Sequence, residues 1–155
     1  MEKVEKRGSG IKKNVRRNKM RIIKLSPEDP SFPNRSRVDF YFNEELPRRE
    51  HNQFLLTKGR IKKGGITPGE MLVFSYKGDI VYLALSESER HNNTGLEASK
   101  YPFYFSVGSI IKGKGNLKQL ENELKTNKNI VKTQGWPTIK DSPEIKRIWN
   151  QFKAK

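Results

Sequence analysis

Two histidines, a scatter of carboxylates and three basic, glycine-bearing stretches are the residues of this chain with chemistry to offer. His51 follows "PRRE" and His91 follows "SER". Either could act as a general base near neutral pH, and either could equally be an exposed loop histidine. Asp39 and Glu70 stand in or near expected strands with no second carboxylate to make a catalytic pair. A small basic ribonuclease of the toxin type can work with Arg, Lys, Tyr and His, and that is the enzymatic alternative these residues leave open. GxSxG, HExxH, a Walker loop and a GxGxxG after a strand are all missing. The stretches "GKGN" and "KGRIKKGG" could touch phosphate through backbone N–H groups and lysine, but they lack the Walker spacing. The chain has no cysteine, so a disulfide frame and a thiolate metal site are impossible. With two histidines no histidine-rich metal motif can be written. The expectation is therefore binding rather than catalysis, with no metal and no cofactor.

Charge says what is bound. Lys and Arg number 32 against 17 Asp and Glu, a formal net charge of +15, and such an excess favours polyanionic partners. The basic residues interleave with polar turn residues in three places. One is the N-terminal arm, with Lys12, Lys13, Arg16 and Arg17. The second is the 58–65 loop, with Lys58, Arg60, Lys62 and Lys63. The third runs from 112 to 118, with Lys112, Lys114 and Lys118. Lysines and arginines in loops neutralise phosphates and release counterions, which gives affinity without sequence preference. Taken singly, each loop also reads as a solvated surface.

Aromatic residues supply the other half of a binding argument. Phe40, Phe42, Phe54, Phe74, Phe103, Phe105, Trp149 and Phe152 occupy core-like positions. Tyr41, Tyr76 and Tyr104 fall on the opposite strand face from their phenylalanine neighbours or at a strand end, and Trp136 lies in a Gly-Trp-Pro turn. These four are candidates to stack on an unpaired base. Ser75 and Asn92, with Asn93 and Ser106, are candidates to hydrogen-bond a base edge. The plainer reading of each aromatic is a residue at the margin of the core.

The elements that must position these residues follow from hydropathy. At 155 residues the chain suits one domain. Residues 1–36 read as a basic arm followed by the proline-rich linker "SPEDPSFPN", and residues 37–155 as the folded domain. "RVDFYFN" alternates as a half-buried strand, and "NQFLLT" is a second. "ITPGE" is a turn with Pro68 and Gly69 in type II positions. "MLVFSY" and "DIVYLALS" pair across Lys77-Gly78, and the second, apolar from Ile80 to Leu85, is expected to be buried on both faces. "YPFYFSVGSII" is a further strand. "NLKQLENELK" carries Leu117, Leu120 and Leu124 at helical spacing behind an Asn116 cap with Gln119 three residues on. "IVKT" reads as a short strand. The last element is an amphipathic helix with Ser142 as cap, Pro143 at its first position, and Ile145, Ile148, Trp149 and Phe152 on one face. The fold class expected is α+β: a small curved sheet or barrel with flanking helices, one of them C-terminal.

The stretch "ITPGEMLVFSYKGDIVYLALSES" resembles a recurring segment of the PUA-like superfamily, which includes EVE, YTH and ASCH domains. That segment has a hydrophobic residue before Pro-Gly-Asp/Glu, then a hydrophobic run ending in Phe-Tyr, a turn, and an apolar strand. Here these are Pro68-Gly69-Glu70 and Met71 to Tyr76. "YPFYFSVGSI" is similar to the aromatic-rich "YPYR"-like strand of EVE-type domains, with Phe103-Tyr104-Phe105 standing where the basic residue is usual. The resemblance covers residues 37 to 140. It implies a small barrel that binds RNA or recognises a modified, flipped base, and a place as the DNA-reading part of a modification-dependent restriction or defence system. Of the tryptophans that often mark such pockets, Trp136 is the one candidate.

The function expected is nucleic-acid binding, DNA or RNA. A structural nucleic-acid-binding protein acting by charge alone stands beside the ribonuclease as an alternative. The apolar runs are too short to span a membrane, the basic N-terminus has no apolar segment behind it, and the absence of cysteine suits a reducing compartment. The location expected is the cytoplasm, with no membrane partner.

Overall fold

The hairpin read from residues 66 to 88 lies at the middle of the sheet. The computed structural model describes residues 19–57, 61–62, 64–124, 129–133, 135–140 and 144–154. Its strands are β1 (Lys19–Leu25), β2 (Gln53–Leu56), β3 (Met71–Tyr76), β4 (Asp79–Ser86), β5 (His91–Asn92), β6 (Phe103–Lys112) and β7 (Thr138–Lys140). They form one mixed, curled half-barrel in the order β2-β6-β4-β3-β1-β7, with β5 paired to β6. The β3–β4 turn places Lys77 at φ 52° and Gly78 at φ 88°. Both values lie in the left-handed region of a primed hairpin turn, where glycine carries no Cβ penalty. Gly69, at φ 92°, suits the type II turn that feeds β3.

Residues on β3 alternate between two cores. Leu72, Phe74 and Tyr76 face one cluster with Phe42, Phe54 and Phe105. Met71 and Val73 face the other, with Leu117, Leu120, Ile145 and Ile148. Hence the sheet is covered on both faces, and β4 is buried from Ile80 to Ala84. The second cluster is closed by α3 (Leu117–Leu124) and α4 (Ile145–Gln151). The expected capping box opens α3: Gln119 N–H donates to Asn116 Oδ1 at 2.9 Å, and Asn116 N–H donates to Gln119 Oε1 at 3.0 Å. On α4, Trp149 Nε1 donates to the Leu72 carbonyl at 3.0 Å, pinning the C-terminal helix to the sheet. Ser142 and Pro143 lie outside the described residues.

The first cluster is closed by a segment expected to be a strand. Residues 35 to 48 are helical: α1 (Arg35–Phe40), a π-helical segment Tyr41–Glu45, and α2 (Leu46–Arg48). Val38, Phe40 and Phe42 alternate, but Val38 and Phe42 are also four apart and so share a helix face. The structure buries Val38, Tyr41, Phe42 and Leu46 and leaves Phe40 40% exposed, which is helical and not strand burial. Local chemistry agrees. Asn34 Oδ1 caps by accepting from Arg37 N–H at 3.0 Å, and Arg35 pairs with Asp39 one turn on at 3.4 Å. The helix widens just before Pro47, which has no N–H for the carbonyl four residues back.

Two further expectations are corrected. Residues 19–25, placed in the arm and linker, form β1, which lies parallel to β3 in the register Met20↔Met71 to Leu25↔Tyr76. Charged Lys19, Arg21 and Lys24 hide the strand in a basic run, yet Met20, Ile22, Ile23 and Leu25 are all buried. "IVKT" is a turn stitched by Asn129, whose carbonyl accepts from Thr133 N–H at 3.1 Å. The strand comes later, as β7 against β1. Among the described residues no helix is long and apolar enough to cross a membrane.

Candidate nucleic-acid interface

The end of β1 is where the sheet meets the Gly-Trp-Pro turn. Ile22 N–H donates to the Pro137 carbonyl at 2.9 Å, and Trp136 Nε1 donates to the Lys24 carbonyl at 3.2 Å. Lys24 Nζ reaches the Val131 carbonyl at 3.3 Å and also donates to that of Thr133. The indole is thus fastened to β1, half-buried, with the 129–133 turn held beside it. Burial lowers the Lys24 ammonium from its ordinary value, partly offset by Glu121. Bonded to two carbonyls of the 129–133 turn, Lys24 acts as a tether.

Trp136 borders a cavity of about 240 Å³. That is below the ~300–1,000 Å³ usual for small-molecule sites and suits one planar ring system. Leu25, Phe32 and Phe54 line it from the core side. Phe32 packs edge-on to Tyr41 at 4.9 Å, and Tyr41 to Phe54 at 5.8 Å, so this floor is fixed. Polar residues also line it: Ser26, Asp29, Thr57 and the buried Tyr101, with the exposed Lys100. Tyr101 Oη donates to Asp29 Oδ1 at 2.7 Å and lies 3.0 Å from Ser31 Oγ.

Of the six candidates for a base pocket, the structure brings Ser75 and Trp136 to one adjoining cavity. Tyr41 and Tyr76 are core residues. Tyr41 is 2% exposed and its hydroxyl accepts from Leu55 N–H at 3.4 Å. Tyr76 is 4% exposed and donates to the Phe32 carbonyl at 2.7 Å. Strand alternation had turned Tyr41 outward, and the helix turns it in. Tyr104 and Asn92 lie elsewhere, on the β5–β6 ladder, where Tyr104 is opposite His91, whose ring is 5.4 Å away, and Asn92 is opposite Phe103. His51 is exposed, 3.4 Å from Glu50. Asn93 donates to the Tyr101 carbonyl at 2.7 Å, and Ser106 N–H donates to Ser88 Oγ at 2.8 Å.

Among the phosphate candidates, Lys12, Lys13, Arg16, Arg17, Lys58, Arg60 and Lys63 lie outside the described residues. Lys62 is exposed. Lys112 and Lys114 are exposed at the end of β6, where Lys153 joins them. Ala154 N–H donates to the Lys112 carbonyl and Lys114 N–H to that of Phe152, each at 2.9 Å. Lys24, Lys77, Lys100 and Tyr101 were not expected at a site. Lys77 was legible as a turn residue, but nothing local places that turn beside Trp136.

The acid of the Pro68-Gly69-Glu70 turn is structural. Glu70 is 2% exposed and Arg21 7%. Arg21 Nε donates to Glu70 Oε1 at 2.9 Å, Lys19 Nζ lies 3.2 Å from Oε2, and Thr67 N–H donates to Oε2 at 2.9 Å. Arg21 also donates to the Gly65 carbonyl. A single carboxylate therefore fastens β1 to the Thr67–Glu70 turn, while Arg21 reaches on to Gly65.

Two buried hydroxyls give a pH prediction. Burial, then the hydrogen bond to Asp39, raises Tyr82 to about 12. Burial and Asp29 raise Tyr101 to about 12, against the opposing bond with Ser31. The unfolded chain ionises these groups first, near 10. Their contribution is thus intact below about pH 10 and is lost as pH rises toward 12. Urea melts at pH 9 and pH 11 should show a drop that is smaller in Tyr101→Phe and Tyr82→Phe. An identical drop in both variants and the wild type would remove this assignment.

No family model matches the chain, and comparison with curated proteins and with solved structures finds no similar protein. The curled, mixed half-barrel is an architecture that PUA-like domains share with other small barrels.

Proposed function

We propose that this protein binds nucleic acid, taking an unpaired base against Trp136 while surface lysines hold the phosphate backbone. The observation that carries the reading is the fastened, half-buried indole bordering a cavity that an exposed lysine also lines, in a chain of net charge +15. Stacking on an aromatic ring tolerates any base, and lysines beside it add salt-dependent affinity. Within this reading the domain is PUA-like. A base presented to such a pocket can be one already single-stranded or one flipped from a duplex. Discrimination of a modified base there would suit the targeting part of a defence or restriction system.

The test is a salt-controlled titration with duplex DNA, single-stranded DNA and RNA, each with and without methylated bases, beside an abasic strand of equal length. Strands with bases should bind more tightly than the abasic strand at every salt concentration. Equal affinity for both would leave a protein that binds by charge alone, and a preference for one methylated strand would identify a modification reader.

A further inference from the structure

Trp136 is the wall of two cavities. Beside the one already described lies a second of about 370 Å³, bordered by Ser75, Lys77, Gly78, Leu117 and Val131. The two share Lys24, Leu25, Ser26 and Trp136, so they adjoin across the end of β1. Each also has an exposed lysine of its own, Lys100 in the first and Lys77 in the second. Lys24, common to both, is engaged by the Val131 and Thr133 carbonyls. Lys77 comes from the β3–β4 turn, with its Nζ 5.6 Å from the Tyr76 ring centre. Lys100 comes from the loop before β6, whose Tyr101 N–H donates to the Glu97 carbonyl at 2.8 Å. Two adjoining recesses, one aromatic wall and one cation apiece repeat the same chemistry on either side of β1.

We infer that the ligand of this site is single-stranded nucleic acid, and that two successive nucleotides occupy it, one in each cavity against Trp136, with Lys100 and Lys77 on the phosphates at either end. This rests on the base-stacking reading above and decides its strand state. A duplex with one flipped base offers a single planar group, because the neighbouring bases stay stacked in the helix. Only a strand with consecutive unpaired bases can supply two such groups joined by one phosphate. Stacking then requires no particular sequence.

The experiment titrates the full chain at fixed salt with mono-, di-, tri- and hexanucleotides of deoxyuridine and of uridine, each bearing 5′- and 3′-terminal phosphates, read by tryptophan fluorescence. Trp149 is 6% exposed, so quenching reports Trp136, with Trp136→Phe as the control. Affinity should rise about ten- to a hundredfold from mono- to dinucleotide, the worth of one further stacked base, and only slightly per added nucleotide beyond. An abasic residue at either position of the dinucleotide should return it to mononucleotide affinity. Lys77→Ala and Lys100→Ala should each weaken the dinucleotide. Quenching by mononucleotide at the same affinity as by dinucleotide would overturn the two-nucleotide site and leave the single-base reading standing. So would a duplex with one mismatched base binding as tightly as the single strand. Binding of the hexanucleotide without any quenching would sink the base-stacking reading itself, and this inference with it. The deoxy and ribo series, run side by side, show which sugar the site prefers.

Discussion

Glu70→Gln should destabilise the protein by about 3–5 kcal/mol, the cost of stranding a buried charge by removing its partner. Total stabilities of ~5–15 kcal/mol are usual for a domain, so this one oxygen-to-nitrogen change takes a large share. The reason is geometric. Arg21 and Glu70 are both almost fully enclosed, and the carboxylate accepts from Arg21, Lys19 and Thr67. The amide has one acceptor oxygen and no charge, so the Arg21 guanidinium keeps its burial and loses its counter-charge. Urea denaturation of the variant measures the loss directly. A second variant separates the pair from its pieces: Arg21→Met with Glu70→Leu should recover part of the stability, because no buried charge is left unpaired, while Thr67 N–H and the Gly65 carbonyl still lose their partners. A single-variant loss under about 1 kcal/mol, the range of exposed ion pairs, would mean that water reaches this pair in solution.

Trp136→Ala should remove ~1–3 kcal/mol of the affinity for single-stranded oligonucleotides, the contribution of a base stacked on an aromatic ring. Its affinity for an abasic strand should stay unchanged, and so should the slope of log affinity against log salt, since no phosphate contact is removed. Trp136→Phe keeps a stackable ring and should lie between. The indole also packs against the first core cluster, so thermal melts of both variants accompany the titrations. Equal losses on the abasic and the base-bearing strand would count against stacking and for a merely structural Trp136.

The cavity and its wall were partly legible in the sequence. The Gly-Trp-Pro turn marked Trp136, because no periodicity asked for its burial. Tyr41 and Tyr76 misled, because a tyrosine on the polar side of an alternation looks outward only if the segment is a one-sided strand. Tyr41 sits in a helix, and Tyr76 on a strand covered on both faces. Lys77 and Lys100 carried no local sign of a site. They are 23 residues apart in sequence, and what joins them is the end of β1, itself hidden among basic residues.

What the sequence determined by itself is what neighbouring residues decide among themselves. The primed turn at Lys77-Gly78, the reciprocal bonds of Asn116 and Gln119, the apolar stripe of α4 and the net positive charge depend on spacings of a few positions and on composition. Tertiary structure alone decided the rest. Val38 and Phe42 satisfy a strand and a helix equally, and only the buried face available to Tyr41 and Leu46 settles the period. β1 can carry Arg21 into the interior only because Glu70, 49 residues away, meets it there. Of the two cavities at Trp136, one likewise exists only where β1 meets β2 and the loop before β6, and the other only where β1, the 129–133 turn and the β3–β4 turn come together. Their pairing depends on which apolar faces meet and which charges cancel, and no local spacing encodes that.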